Sequence, residues 1–235
     1  MMASDTNKAA DAKPGFSTDN GGVFAEDPLL SFSAILTKSR TIWMRMTYKF
    51  AKFGRGVSIH YSCDIKRSAS NRIQIGDSVY IAPQTWLNIP EPAIDALPAI
   101  ILENGCKIGR RCMISAKNRV HLEEDVMLGP SVLITDHSHE FHDPETAIHA
   151  QGLTAGGTVV IGRNCWLGHG AAVISTSGPL LVGRNSIIGA NSVVTSSVPP
   201  CSIVAGNPAR VVKQYDPESG KWSKVQKSRG LTVGG

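Results

Sequence analysis

The chain has 235 residues, of which 42% are hydrophobic and only 6% aromatic, with a formal net charge of +5. That length fits one domain with small appendages, and the aromatic share excludes an aromatic-rich core. No Lys/Arg run interleaved with aromatics supports nucleic-acid binding, and no apolar run reaches the roughly 18 residues that span a bilayer.

Residues 1–27 are polar, rich in Ala, Asp and Gly, and are expected to form a disordered arm. Asp27-Pro28 suits a helix start, and residues 28–52 are expected to form an amphipathic helix. Ile35, Leu36, Ile42, Trp43, Met46 and Phe50 recur at helical spacing among Lys38, Arg40, Arg45, Lys49 and Lys52. Two readings follow: a helix packed on the next element or on a neighbouring subunit, or a basic helix lying on an anionic membrane surface.

From Phe53 the pattern changes to period six, which is neither the 3.6 of a helix nor the 2 of an ordinary strand. Aliphatic or Phe residues fall in triplets at strict sixes. The triplets are Phe53, Ile59, Ile65; Ile75, Ile81, Leu87; Leu102, Ile108, Ile114; Leu122, Leu128, Ile134; Ile161, Leu167, Val173; and Val182, Ile188, Val194. This is the hexapeptide signature of a parallel β-helix, three strands to a coil, with the triplets pointing inward. Small residues should stand four places later, as at Cys165, Ala171, Ser177, Ser186, Ser192 and Val198. Cys63, Cys106 and Cys112 fall in the same frame, which makes them small corner residues in preference to catalytic or metal-binding thiols. The five cysteines include no CxxC pair and no secretory segment precedes them, so reduced thiols in the cytoplasm are expected.

Two spacers between triplets are long: Pro90 to Ala99, and residues 135–160. A long loop on a rigid scaffold is more often functional than decorative. The second holds His137, His139, His142 and His149, four of the seven histidines. After Val198 the sequence PPCSIVAGNPARVVKQY reads as a proline-ended exit, and residues 214–235 as a polar tail that adds little.

The hexads, the loop opening ITDHSHE, the segment IGRNCWLG, the pair IIGANSVVT and the ending VAGNPARVVK together resemble the hexapeptide-repeat acyltransferases. The likeness is greatest to galactoside and maltose O-acetyltransferases and their relatives in surface-polysaccharide synthesis, and covers residues 53–213. It implies an all-β fold, a left-handed parallel β-helix of about six coils with an N-terminal helix. It further implies a homotrimer that transfers acetyl from acetyl-CoA to a hydroxyl of a small saccharide or lipid-linked sugar, with no metal. An alcohol is a weak nucleophile at neutral pH, so a base must take its proton during attack, and His fits best. The resemblance places that base at His137, with His139 as rival; Asp136 and His139 are expected at the acceptor. It also gives the backbone N–H of His169 as oxyanion donor, and Trp166, Ala190, Thr195, Arg210 and Lys213 as contacts to acetyl-CoA. Where the family has Lys after that Thr, this chain has Ser196.

Alternatives remain open at this level. His137 and His142 are five apart, as in zinc lyases of the γ-carbonic-anhydrase type, and HxHxxH suits a zinc site. A non-enzymatic β-helix scaffold and an antibiotic acetyltransferase are the others. A serine acetyltransferase would need a longer helical N-terminal domain. The expected location is the cytoplasm, at the inner face of the membrane if the helix touches lipid.

Overall fold

The computed structural model describes residues 28–90 and 97–225, without the side chains of 28–31. The expectation of a disordered arm over 1–27 lies outside these residues, as do 91–96 of the first long spacer and 226–235 of the tail.

The chain winds as a left-handed parallel β-helix of six full coils, each laying one short strand on each of three parallel sheets. In the fourth coil the strands are Arg119–Leu122, Met127–Leu128 and Leu133–Thr135, on faces one, two and three respectively. Register is kept from coil to coil, with Leu102, Leu122, Ile161 and Val182 stacked on face one. All the triplet positions except Phe53 are at most 4% exposed, and Phe53 packs against the core as a partly buried residue.

The corners explain the small and polar residues between the aliphatics. Asn164, Asn185 and Asn191 turn the chain in the left-handed region, at φ of 56°, 57° and 55°, which Asn tolerates better than most side chains. Cys63, Cys106, Cys112 and Cys165 are buried at other corner positions. Burial pushes the thiols of Cys63 and Cys165 up to about 11 and that of Cys106 up to about 12, so they stay protonated and inert. Ser177 departs from the expectation of a buried corner: it is exposed and opens the strand Ser177–Val182.

Both ends of the β-helix are covered, because an open coil end would present unpaired strand groups. The helix spans Pro28–Thr47 and so ends five residues short of the expected 52; Lys52–Phe53 is already a strand. The expected apolar face is not the buried one. Ile35, Ile42 and Met46 are 62%, 49% and 73% exposed, while Met44 is fully buried and Thr41 is 9% exposed. The helix caps the first coil through polar contacts instead. The Ile59 amide donates to the Thr41 hydroxyl (3.0 Å), Arg40 donates to the Cys63 carbonyl, and Tyr48 to that of Ile65. No helix among the described residues is long and apolar enough to cross a membrane.

At the far end the segment read as a plain exit starts a seventh turn. Val198 bridges Val182, and Ser202–Gly206 adds a parallel strand to face two, burying Val204. The chain then reverses into Ala209–Asp216 and Lys221–Lys224, an antiparallel extension in which Tyr215 meets Trp222 edge-on. The expected boundary between 213 and 214 thus falls inside a strand, and the segment up to 224 is part of face two.

Candidate active site

His137 follows the strand Leu133–Thr135, on the edge where the chain passes from face three to face one. Its ring is held: Nδ1 lies 2.8 Å from Oδ1 of Asp136, and the His137 side chain is 9% exposed. A carboxylate can only accept, so Nδ1 carries the proton and Nε2 keeps its lone pair. Ser115 Oγ approaches Nε2 at 3.5 Å and itself accepts from Asn88 Nδ2 at 2.9 Å. Asn88, Ser115 and Thr135 stack in register at the ends of three successive face-three strands.

Asp136 differs from the expectation that it meets the acceptor. It is fully buried, and besides His137 it accepts the amides of Lys117 (2.8 Å), Asn118 (2.8 Å) and Arg119 (2.6 Å). A buried carboxylate is stable only with such partners, and these leave no lone pair facing solvent. Asp136 therefore orients His137 and cannot reach a substrate. The same segment fastens the base of the long loop: Lys117 Nζ donates to the Thr154 carbonyl at 2.7 Å, and Asn118 Nδ2 to those of Ala155 and Gly157.

The other loop histidines are not held in this way. His139 is exposed and forms an antiparallel backbone bridge with Leu153. His142 is 75% exposed and 4.0 Å from Glu140, and His149 is exposed. Among the described residues no three His, Cys, Asp or Glu side chains are grouped as a metal site would need.

The remaining expected site residues lie mostly on another edge. Trp166 projects outward from face two at 47% exposure. His169 follows it on the edge between faces two and three, where its amide donates no hydrogen bond among the described residues. A Cβ on Gly168 would meet the Ala190 amide at 2.8 Å, so Ala190 stacks one coil above on that edge. Gly109, Gly129 and Gly168 form a backbone-lined column there; comparable close approaches at Gly54 and Gly76 show that corner sterics alone can require glycine. Arg210 and Lys213 are exposed on the antiparallel extension of face two, with no acidic partner among the described residues. Thr195 departs from this group. It follows the face-three strand Val193–Val194 and belongs to the His137 edge, two coils above it. One chain thus carries His137 on one edge of face three and the His169 amide on the other.

Sequence reasoning missed Asn88 and Ser115, and misread Asp136. A signal existed for the first two: a polar residue directly follows the inward aliphatic at Leu87-Asn88, Ile114-Ser115 and Ile134-Thr135. Nothing in the sequence marks Asp136 as buried.

No protein-family model matches the chain. It is 29% identical over 132 residues to WbbJ of Escherichia coli, a protein named for a lipopolysaccharide-biosynthesis O-acetyl transferase role. The match covers 54% of this chain and 66% of that protein, just under two thirds of its length. Among solved structures, AntD of Bacillus cereus, described as an N-acyltransferase in complex with dTDP and 3-hydroxybutyryl-CoA, superposes with a TM-score of 0.61. That likeness is at 16% identity over 77% of this chain and 90% of AntD, and establishes the shared fold. The resemblance to hexapeptide-repeat acyltransferases, read first from the sequence, is borne out.

Proposed function

We propose that this chain transfers acetyl from acetyl-CoA to a saccharide hydroxyl, with His137 as the general base. The observation that carries the reading is the Asp136–His137 pair: a buried carboxylate fixes the tautomer that leaves Nε2 free to accept a proton. The name of the Escherichia coli relative agrees with it.

Acetyl-CoA would supply an activated thioester carbonyl. The residues present fit its shape and charge: a backbone-lined edge at Gly129, Gly168 and Ala190 for a narrow arm, Trp166 as a wall, and Arg210 and Lys213 for phosphates. His137 Nε2 takes the acceptor hydroxyl's proton as its oxygen attacks the carbonyl carbon. The His169 amide donates to the oxygen on which charge develops. His137 then returns the proton to the departing sulfur as the C–S bond breaks, leaving the ester and free CoA.

The base and the oxyanion donor stand on the two edges that flank face three, so the reaction needs a second copy. A copy rotated about a three-fold axis in front of face three sets one chain's His169 edge against the next chain's His137 edge. One outward column of that face suits burial: after Asp64 it runs Trp86, Met113, Leu133, Ala172 and Val193 without a polar side chain. The homotrimer is therefore part of the proposal.

The test is an acceptor screen over monosaccharides, nucleotide sugars and antibiotics, detecting the thiol of released CoA. Acetyl-CoA-dependent release with a saccharide, abolished in His137→Ala, is the expected result. Undiminished release in that variant would sink the mechanism.

A further inference from the structure

A groove of about 770 Å³ runs between the N-terminal helix and the first coils of face two, away from the acetyl-CoA residues. That volume is in the range of small-molecule sites, about 300–1,000 Å³. Lys38 and Arg45 reach it from the helix and Arg110 from the edge between faces two and three. No Asp or Glu lines it, and none of the three cations has an ion-pair partner among the described residues. Arg45 lies over the Phe53 ring, 6.0 Å from its centroid, so charge and apolar wall are adjacent. The hydroxyl of Thr37, another lining residue, is buried with no hydrogen-bond partner among the described residues. His60 opens the same space, its Nε2 3.2 Å from Ser33 Oγ. Burial, and secondly the charge of Arg110, hold the His60 imidazole below its usual pKa. Uncompensated cations beside apolar surface fit an anion that carries an apolar or aromatic group.

We propose that this groove binds a diphosphate ester, its phosphates between Lys38, Arg45 and Arg110 and its hydrophobic group against Ile42, Phe53 and Tyr80. Arg favours such a ligand because its planar fork meets phosphate oxygens bidentately. Arg110 follows Gly109 on the edge that continues through Gly129 to His169. Two coils separate Arg110 from His169, about 10 Å at the usual strand spacing. The ligand's phosphates therefore lie below the transfer point on the same edge, where the carrier end of a diphosphate-linked sugar acceptor would sit. Naming the ligand as the acceptor rests on the transferase reading; the binding itself does not.

Calorimetric titration of the full chain with inorganic pyrophosphate, uridine diphosphate and farnesyl diphosphate tests the groove. At least one of the two esters should bind tenfold or more tightly than pyrophosphate, and the tighter ester shows whether the carrier is a nucleoside or a polyprenyl chain. Raising the salt should weaken binding. The double variant Arg45→Gln/Arg110→Gln, with an unchanged Tm, should lose at least tenfold in affinity, while His137→Ala binds as wild type does. Saturating CoA should leave the affinity for the ester unchanged. No ester binding at millimolar concentration, an unaltered double variant, competition by CoA, or binding only to anionic phospholipid vesicles would each overturn the proposal. Ester binding without acetyl transfer to any acceptor would keep the groove and refute the transferase reading. Transfer to phosphate-free sugars with no ester binding would do the reverse.

Discussion

Asp136→Asn separates orientation of the base from stability of the fold. The carboxylate accepts four hydrogen bonds, Oδ1 from Lys117 N and His137 Nδ1, and Oδ2 from Asn118 N and Arg119 N. The amide group of Asn can replace either oxygen. Placed at Oδ2, it would face two backbone donors that cannot turn away. Placed at Oδ1, it faces one backbone donor and an imidazole that can change tautomer, so this arrangement costs less. One buried amide then loses its acceptor, at about 1–3 kcal/mol. For a chain of this size a loss of about 2 kcal/mol lowers Tm by about 4–8 °C. The catalytic effect is larger, because the tautomer change puts the proton on Nε2 and removes the base, an effect of about 10²–10⁴-fold on kcat. KM for acetyl-CoA should stay close to wild type, since no acetyl-CoA residue has moved. The assay is thiol release with a confirmed acceptor, set beside a thermal melt. If Asp136→Asn keeps kcat within a few fold while His137→Ala is inactive, the carboxylate is structural and the orientation argument is wrong.

Other outcomes follow from the fold. Thr41→Val leaves the Ile59 amide without its acceptor at the first coil and should cost about 1–3 kcal/mol, measured by denaturant unfolding. At pH 8 a thiol reagent should label Cys201 rapidly and the four buried cysteines only after unfolding, because burial holds Cys63, Cys106, Cys112 and Cys165 protonated; fast labelling of more than one would contradict the corner assignment. Leu133→Glu, outward on face three, should yield monomers in light scattering and abolish transfer, whereas trimers that survive the charge would place the interface elsewhere. Burial, and secondly Arg110, hold the folded pKa of His60 below its ordinary value, so the stability it contributes is present above the unfolded pKa and is lost as pH falls through the folded one. Wild type should thus lose more stability between pH 7 and pH 5 than His60→Gln does, and equal losses would refute the assignment.

The core was legible because its signal is local and redundant. Each coil repeats one instruction, an aliphatic at every sixth residue, and an error at one coil is corrected by the register of its neighbours. Phe53, in the first coil, lines the groove beside the helix and is the sole triplet position left partly exposed. The helix packs on the first coil, one of the two expected readings, but its buried face was misread because it obeys a different physics. A helix laid along a sheet buries a stripe of period 3.6, which the spacing of Ile35, Ile42 and Met46 suggested. A helix that stoppers a coil needs one apolar plug, Met44, and hydroxyl or guanidinium groups that satisfy strand ends, and no hydrophobic period announces Thr41 or Arg40.

The site was legible in part for a related reason. The residue types in ITDHSHE pointed to His137 but not to its support, since the amides of Lys117, Asn118 and Arg119 that fix Asp136 come from the preceding turn of the coil. A residue's edge depends on which of the three faces its strand occupies, and the hexad phase carries that information once the coils are counted. Counted that way, Thr195 follows a third strand like His137, while Trp166, His169 and Ala190 belong to second strands and the corner after them. His137 and the His169 amide then fall on different edges of one prism, separated by a face whose outward column from Trp86 to Val193 is apolar. Both facts call for the same arrangement. On the proposed mechanism a neighbouring chain brings the two edges together and covers that column, so catalysis and assembly should be lost together when Leu133 is charged.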